Sequence, residues 1–388
     1  MPNPNGGLHA RRRVAFCVRD MQVGGVEIAM LRTIDALRAR GDVDVAVITY
    51  VPIRVERFQK WFAARPDIQI YTLYPCAWLG TRLVRFFPVR LIQHWARDLY
   101  RAMRRRRLRP DQFGHVDVFV DYYNFQFVSE FRHLHGAKVA WWHSSIDVLW
   151  RQKAARHVGD YDRFVMLTDE GAAEFKAHMP HDAKRVRRIY NPVDVHEIQG
   201  LAATGDRAPG DYFCAVSRLA GDKDVQTILT AFDLFWRQNA RPNVQLIIVG
   251  DGHLRDALQA YAGTLAARDH IVFTGRLTNP YGYMRGARAH ILSSHGEGLP
   301  TVLVEAAATG TPNIASECKN GPREILLDGD AGLLYTPGDA VGLAQCMADI
   351  WAGRADARAM TGCATRGLRR FDAMEIADQI MRMMDEIC

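Results

Sequence analysis

The sequence contains no apolar run near the ~20 residues that a membrane-spanning helix needs, so it does not read as an integral membrane chain. Cysteine is sparse: seven residues, Cys17, Cys76, Cys214, Cys318, Cys346, Cys363 and Cys388, odd in number and without C-x-x-C spacing. That pattern argues against a disulfide framework and against a thiolate zinc site. Met1–Arg13 carries basic residues, but no apolar segment of signal-peptide length follows, and Val14–Val18 reads as a first strand. The expected location is therefore the cytoplasm. G-x-G-x-x-G is missing, which removes the nicotinamide dinucleotide fingerprint. No zinc-finger, RRM-type or helix-turn-helix signature is present, so a nucleic-acid reading rests on basicity alone.

What is present is the composition of a globular α/β protein. The chain has 388 residues, 48% of them apolar and 24% charged, a length that favours two domains. The net charge of +7 is unevenly spread. Between Arg82 and Arg109 stand ten arginines and one acid, Asp98. Within this stretch Leu91, Trp95, Leu99 and Met103 recur every four residues, while Arg97 and Arg101 lie outside that stripe and Arg104, Arg105, Arg106 and Arg107 follow as a block. A basic amphipathic helix with a tryptophan suits the interface of an anionic membrane, or an anionic acceptor.

Short apolar runs alternate with helical patterns. The first series of expected strands is Val14–Val18, Val43–Tyr50, Ile68–Leu73, Val116–Asp121, Lys138–His143 and Phe164–Thr168. A helix is expected over Glu27–Arg40. The series stops around Asn191-Pro192-Val193-Asp194, and the stretch to Asp211 reads as a linker. A second series follows at Tyr212–Ser217, Val244–Val249, Ile271–Thr274, Ala289–Ser293, Pro312–Ala315 and Gly332–Tyr335. Two βα series imply two doubly wound, Rossmann-like domains facing a cleft, over residues 1–205 and 206–370. A final helix within 371–388, apolar on two stripes, has enough apolar surface to lie across both domains or on the second alone.

Ligands of doubly wound sheets bind beyond the carboxyl ends of strands. Four such places carry candidate chemistry. Gly24 and Gly25, between the first strand and helix, permit close backbone approach at a helix start with free amides. Arg218 and Lys223, after Tyr212–Ser217, form a candidate diphosphate clamp. In Ser293-Ser294-His295-Gly296-Glu297-Gly298-Leu299-Pro300-Thr301, Pro300 suits the first helical position and Leu299 cannot cap the leading amides, which leaves them for a phosphate. Glu305 lies deeper in that helix among small residues, where a charge needs a partner. His143 ends an expected strand.

Taken together these segments resemble retaining nucleotide-sugar glycosyltransferases of the GT-B type, family 4. Glu297-Gly298-Leu299-Pro300…Glu305 is similar to that family's E-x7-E signature, and Ser217-Arg218-Leu219…Lys223 to its phosphate-binding arginine and lysine. Val249-Gly250-Asp251-Gly252, Phe273-Thr274-Gly275, Ile189-Tyr190-Asn191-Pro192-Val193-Asp194 and Gly24-Gly25-Val26-Glu27 resemble its other landmarks. Asn320-Gly321-Pro322-Arg323-Glu324-Ile325 looks like a variant found among members that build bacterial surface polysaccharides. The resemblance implies transfer of a hexose-type sugar, with retention, from a nucleotide-diphosphate sugar to a glycan or lipid-linked glycan, with no metal and no cofactor. It implies donor contacts from Gly24, Gly25, Arg218, Lys223, Arg276, Leu277, Glu297, Gly298, Leu299, Pro300, Thr301 and Glu305. His143, Glu297, Arg218 and Lys223 would carry the catalysis. A peripheral position on the cytoplasmic face of the inner membrane would give Arg97, Arg101 and Arg104–Arg107 a purpose. The competing readings are a metal-dependent transferase using one of four Asp-x-Asp triplets, a nucleotide-sugar epimerase or phosphorylase, and a basic nucleic-acid binder.

Overall fold

The computed structural model describes residues 11–22, 24–74, 110–239 and 243–388. The basic segment with Arg97, Arg101 and Arg104–Arg107 lies outside them.

Two parallel sheets form the frame. The first has the order β3-β2-β1-β4-β5-β6-β7, with β1 Arg12–Val18, β2 Val43–Thr49, β3 Gln69–Thr72, β4 Val118–Asp121, β5 Ala137–Trp142, β6 Arg163–Met166 and β7 Val186–Arg188. The second has the order β10-β9-β8-β11-β12-β13, with β8 Asp211–Val216, β9 Val244–Val249, β10 Ile271–Gly275, β11 His290–Leu292, β12 Asn313–Ser316 and β13 Gly332–Tyr335. Strands covered by helices on both faces must be apolar throughout, and Val14 to Val18 are all fully buried.

In each sheet the strand order reverses once, between β1 and β4 and between β8 and β11. At such a switch point the connections leave in opposite directions and open a crevice at the carboxyl ends. The first crevice places Asp20 and Glu27 near Tyr123, and the second places Asp222 and Lys223 beside Ser293 and His295.

Three sequence expectations need correction. The stretch before Asp211 is not simply a linker, because Val195–Thr204 is a helix. Asp194 caps it by accepting from the Glu197 amide at 2.8 Å, and Ile198 and Ala202 are buried. Its short, alanine-rich face hid the periodicity. β7 was not expected, since Val186-Arg187-Arg188 carries two cations in three residues; Val186 alone is buried, at a sheet edge. Pro300 stands at the cap of the Thr301–Ala308 helix rather than at its first helical position.

The final helix, Ala373–Asp385, lies against the Gly25–Arg40 helix of the first sheet. Arg40 pairs with Asp378, and Arg12 pairs with Asp385 at 2.7 Å. One apolar cluster runs from Ile34 and Leu37 through Tyr190 and Val193 to Leu303, Phe371, Ile376 and Met384. The chain therefore crosses back after the second sheet and ties it to the first. No helix among the described residues is long and apolar enough to cross a membrane.

Candidate active site

Glycines fix the loop after β8. A side chain on Gly250 would put its Cβ 1.8 Å from the Ser217 carbonyl oxygen, and φ there is +142°. A Cβ on Gly252 would lie 2.2 Å from the Leu219 carbonyl oxygen. With both positions bare, the Leu219 amide donates to the Asp251 carbonyl at 3.0 Å, and Ser217 to Leu219 is held from beneath. Arg218 then projects outward, two-thirds exposed, with Asp222 at 3.2 Å.

Lys223 points the other way, into the crevice. Its Nζ donates to Glu297 Oε1 at 2.6 Å, and both side chains are largely buried. Ser294 Oγ donates to the same oxygen at 2.6 Å. Two candidates 74 residues apart thus meet. The Glu297 amide donates to the Lys319 carbonyl at 3.3 Å, and Ser316 Oγ donates to the Ser294 carbonyl at 2.6 Å, so the loop after β11 is braced by β12 and its following turn. Asp222 and Asp224, one of the Asp-x-Asp triplets, are already engaged: Asp222 with Arg218 and Lys223, Asp224 with His295 at 3.3 Å and with the start of the Val225–Gln238 helix.

No side chain caps the Thr301–Ala308 helix, although the Thr301 amide donates back to the Leu299 carbonyl at 2.9 Å. Glu305 lies one turn inside. Burial pushes its carboxyl pKa up, opposed by the Arg32 guanidinium, which donates to Oε1 at 3.3 Å. Arg32 comes from the first sheet's Gly25–Arg40 helix and also donates to the Tyr281 hydroxyl at 3.3 Å. The partner that a buried charge requires is therefore supplied by the opposite domain. Glu305 Oε2 accepts no hydrogen bond from the described residues. Arg276 and Leu277 follow β10 on the same sheet; Leu277 packs beside Val249 and Val216.

His143 follows β5 on the other wall. Its amide donates to Asn124 Oδ1 at 2.7 Å, and its ring lies 4.5 Å from that of Tyr122. Desolvation pushes its pKa down to about 3, so the imidazole is neutral at ordinary pH. Its Nε2 is buried and makes no hydrogen bond. The two walls touch here, because a Cβ on Gly298 would lie 2.1 Å from the His143 carbonyl oxygen.

Gly24 and Gly25 differ from each other. Gly25 faces open space, whereas a Cβ on Gly24 would meet Glu27 Oε2 at 2.7 Å. The helix start is therefore not bare. Glu27 folds back over it, held by its own amide and that of Gln22, as an acid at the third helical position can. Desolvation raises its pKa to about 7. A carboxyl raised above its unfolded value favours the fold when protonated. Its contribution is complete below pH ~4.5 and is lost as pH rises through about 7. Glu27→Gln is expected to flatten the stability curve between these limits, by about 3 kcal/mol relative to wild type. Urea midpoints at pH 5 and pH 8 measure it, and parallel curves for the two proteins would contradict it.

Sequence reading missed the residues that join the walls. Asn320 has φ +69° and is buried. Its amide donates to Glu170 at 2.8 Å, and its Oδ1 accepts from the Ile146 amide at 3.1 Å. Glu324 accepts from the Asp169 amide at 2.9 Å and from the Tyr190 hydroxyl. Lys319 pairs with Asp147 at 3.1 Å. The only signal was the segment Asn320-Gly321-Pro322-Arg323-Glu324 itself, in which Asn320 and Glu324 have partners 134 to 174 residues away.

This architecture is the GT-B fold, and residues 203–366 match the family model for glycosyl transferases group 1. Over 96–97% of its length the chain superposes on the Anabaena protein HepE in complex with UDP (TM-score 0.72, 18% identity, 100% of that chain covered) and on the lipopolysaccharide outer core galactosyltransferase WaaB (0.70, 20%, 99%). Among curated proteins it is 30% identical, over 51% of its own length and 54% of the relative's, to lipopolysaccharide 1,6-galactosyltransferase of Salmonella typhimurium. It is 26% identical, over 52% and 54%, to a Campylobacter jejuni N-acetylgalactosaminyltransferase named for a diphospho-undecaprenol acceptor. The chain spans about half the length of the curated relatives it matches.

Proposed function

We propose that the protein transfers a sugar, with retention of configuration, from a nucleotide-diphosphate sugar to a glycan or lipid-linked glycan in bacterial surface-polysaccharide assembly. The observation that carries this reading is the meeting of Lys223, Glu297 and the uncapped Leu299-Pro300-Thr301 helix start at the β8/β11 switch point, opposite His143. Cations and amides fixed around one point stabilise an anion that develops there, here the departing nucleotide diphosphate. Arg218, Lys223 and the helix amides hold that group. Glu297, locked by Lys223 and Ser294 through Oε1, offers Oε2 to the donor sugar. Glu305 offers Oε2 to the ribose while Arg32 occupies Oε1. The neutral His143 has an unpaired buried nitrogen, and a sugar hydroxyl would relieve the ~1–3 kcal/mol that such a group costs. Gly25 leaves room for the phosphates on the facing wall. UDP bound to HepE and the lipid-linked acceptor of the Campylobacter relative support the donor and acceptor classes. The arginine-rich stretch 82–109 of the sequence supplies positive charge for an anionic membrane or acceptor.

A thermal-shift panel with UDP-, GDP- and ADP-sugars tests donor binding, because a ligand that binds only the folded state raises its melting temperature. At one hundred times Kd the gain is about 2.7 kcal/mol. A protein unmoved by every nucleotide sugar does not have this function. Lys223, Arg218 and the helix amides supply the positive potential that a divalent metal supplies elsewhere, so transfer is expected to persist in excess EDTA. Loss of rate that magnesium or manganese restores would assign the chemistry to a metal-dependent mechanism instead.

A further inference from the structure

Arginine side chains on a protein surface normally find a carboxylate or disperse into solvent. On the side of the molecule where the chain crosses back, four of them line one pocket of about 510 Å³: Arg188 from the end of β7, Arg366 from the end of the Ala357–Gly367 helix, and Arg369 and Arg370 from the turn before the final helix. Glu375 is the one carboxylate in the lining. It lies 3.9 Å from Arg382, on its own helix. Among the described residues no acid comes within ion-pairing distance of Arg366, Arg369 or Arg370.

The pocket is also ordered by its neighbours. Arg370 donates to the Glu324 and Ile325 carbonyls at 2.8 and 3.1 Å, and its guanidinium lies over the Phe371 ring at 5.2 Å. Its Nε is buried without a partner. Arg188 lies over the Tyr190 ring at 4.2 Å and pairs with Asp169 at 3.0 Å. Guanidiniums held in place lose little freedom on binding, and their planar donors match phosphate oxygens in pairs. Helix C-termini attract cations, which accounts for Arg366 at the end of Ala357–Gly367 and for Arg369 and Arg370 in the short helical turn Leu368–Phe371 that continues it, but not for Arg188 on another element.

We propose that the Arg188–Arg366–Arg369–Arg370 pocket is a second anion site that binds a phosphate group, separate from the Arg218–Lys223 crevice. The ligand class is a phosphate mono- or diester, whether soluble or the headgroup of an anionic lipid. Because the pocket joins β7 to the crossover segment, an occupant bridges the first domain and the chain returning from the second.

The test is made in an Arg218→Ala/Lys223→Ala background in which Arg104, Arg105, Arg106 and Arg107 are also replaced by alanine, which removes the crevice cations and the basic block of segment 82–109 and makes the result independent of the proposed transfer activity. Calorimetry with inorganic phosphate and pyrophosphate forms one arm. Co-sedimentation with phosphatidylglycerol vesicles, against phosphatidylcholine vesicles, forms the other. Binding is expected in at least one arm, and adding Arg366→Ala/Arg369→Ala, two exposed positions, is expected to weaken it at least tenfold. An effect confined to the soluble arm identifies a free phosphate ligand, and one confined to vesicles identifies a headgroup. No binding in either arm, or binding that the added pair of substitutions leaves unchanged, overturns the proposal.

Discussion

Replacing Lys223 with alanine is expected to lower kcat/KM for sugar transfer by roughly 10²–10³-fold, about 3–4 kcal/mol of transition-state stabilisation. Two effects combine. The cation nearest the crevice disappears, and Glu297, whose Oε1 it holds at 2.6 Å, loses its charged partner in a largely buried position. A buried charge stripped of its partner is costly, so the carboxylate should turn toward water. Arg218→Ala should cost less, about tenfold, because that guanidinium is two-thirds exposed and its field is screened by water and by Asp222. The comparison separates a local role from general unfolding, provided melting temperatures are measured beside the rates. Transfer by Lys223→Ala within threefold of wild type would remove Lys223 from the mechanism.

The second large effect is expected from the smallest change. Gly298→Ala places a methyl group 2.1 Å from the His143 carbonyl oxygen, backbone against side chain with nothing flexible to give way. The wall carrying His143 and the wall carrying Glu297 must separate. Misplacing reacting groups by about 1 Å can cost roughly 10²-fold in rate, and that loss is expected in kcat. Gly159→Ala, whose Cβ would meet nothing within 4 Å, serves as the control. Wild-type kcat for Gly298→Ala would show that the contact between the walls has no part in catalysis.

The two effects differ in how far the sequence could reveal them. Lys223 and Glu297 were legible as candidates because each follows an apolar strand, and carboxyl ends of strands are where doubly wound sheets bind ligands. Their direct contact was not legible, since it depends on β8 and β11 becoming neighbours across a reversal of strand order. The Gly24-Gly25 turn was legible as a turn. That Glu27 closes over one glycine and leaves the other open followed only from the backbone direction at the helix start. Glu305 was legible as a charge in need of a partner. Arg32, 273 residues earlier, could not be named until the two domains faced each other.

The sequence by itself determined the two βα series, the parallel sheets they form and the strand ends that carry polar side chains. Periodicity and apolar runs are local properties, and burial on both faces leaves a local mark. Tertiary structure alone decided the Val195–Thr204 helix, the edge strand Val186–Arg188, the Asn320 and Glu324 contacts between domains, and the arginines gathered around the crossover. These depend on which residues lie opposite one another after the chain has crossed twice between domains. A short amphipathic segment, or a polar side chain whose partner is more than a hundred residues away, carries no sequence pattern that marks that choice.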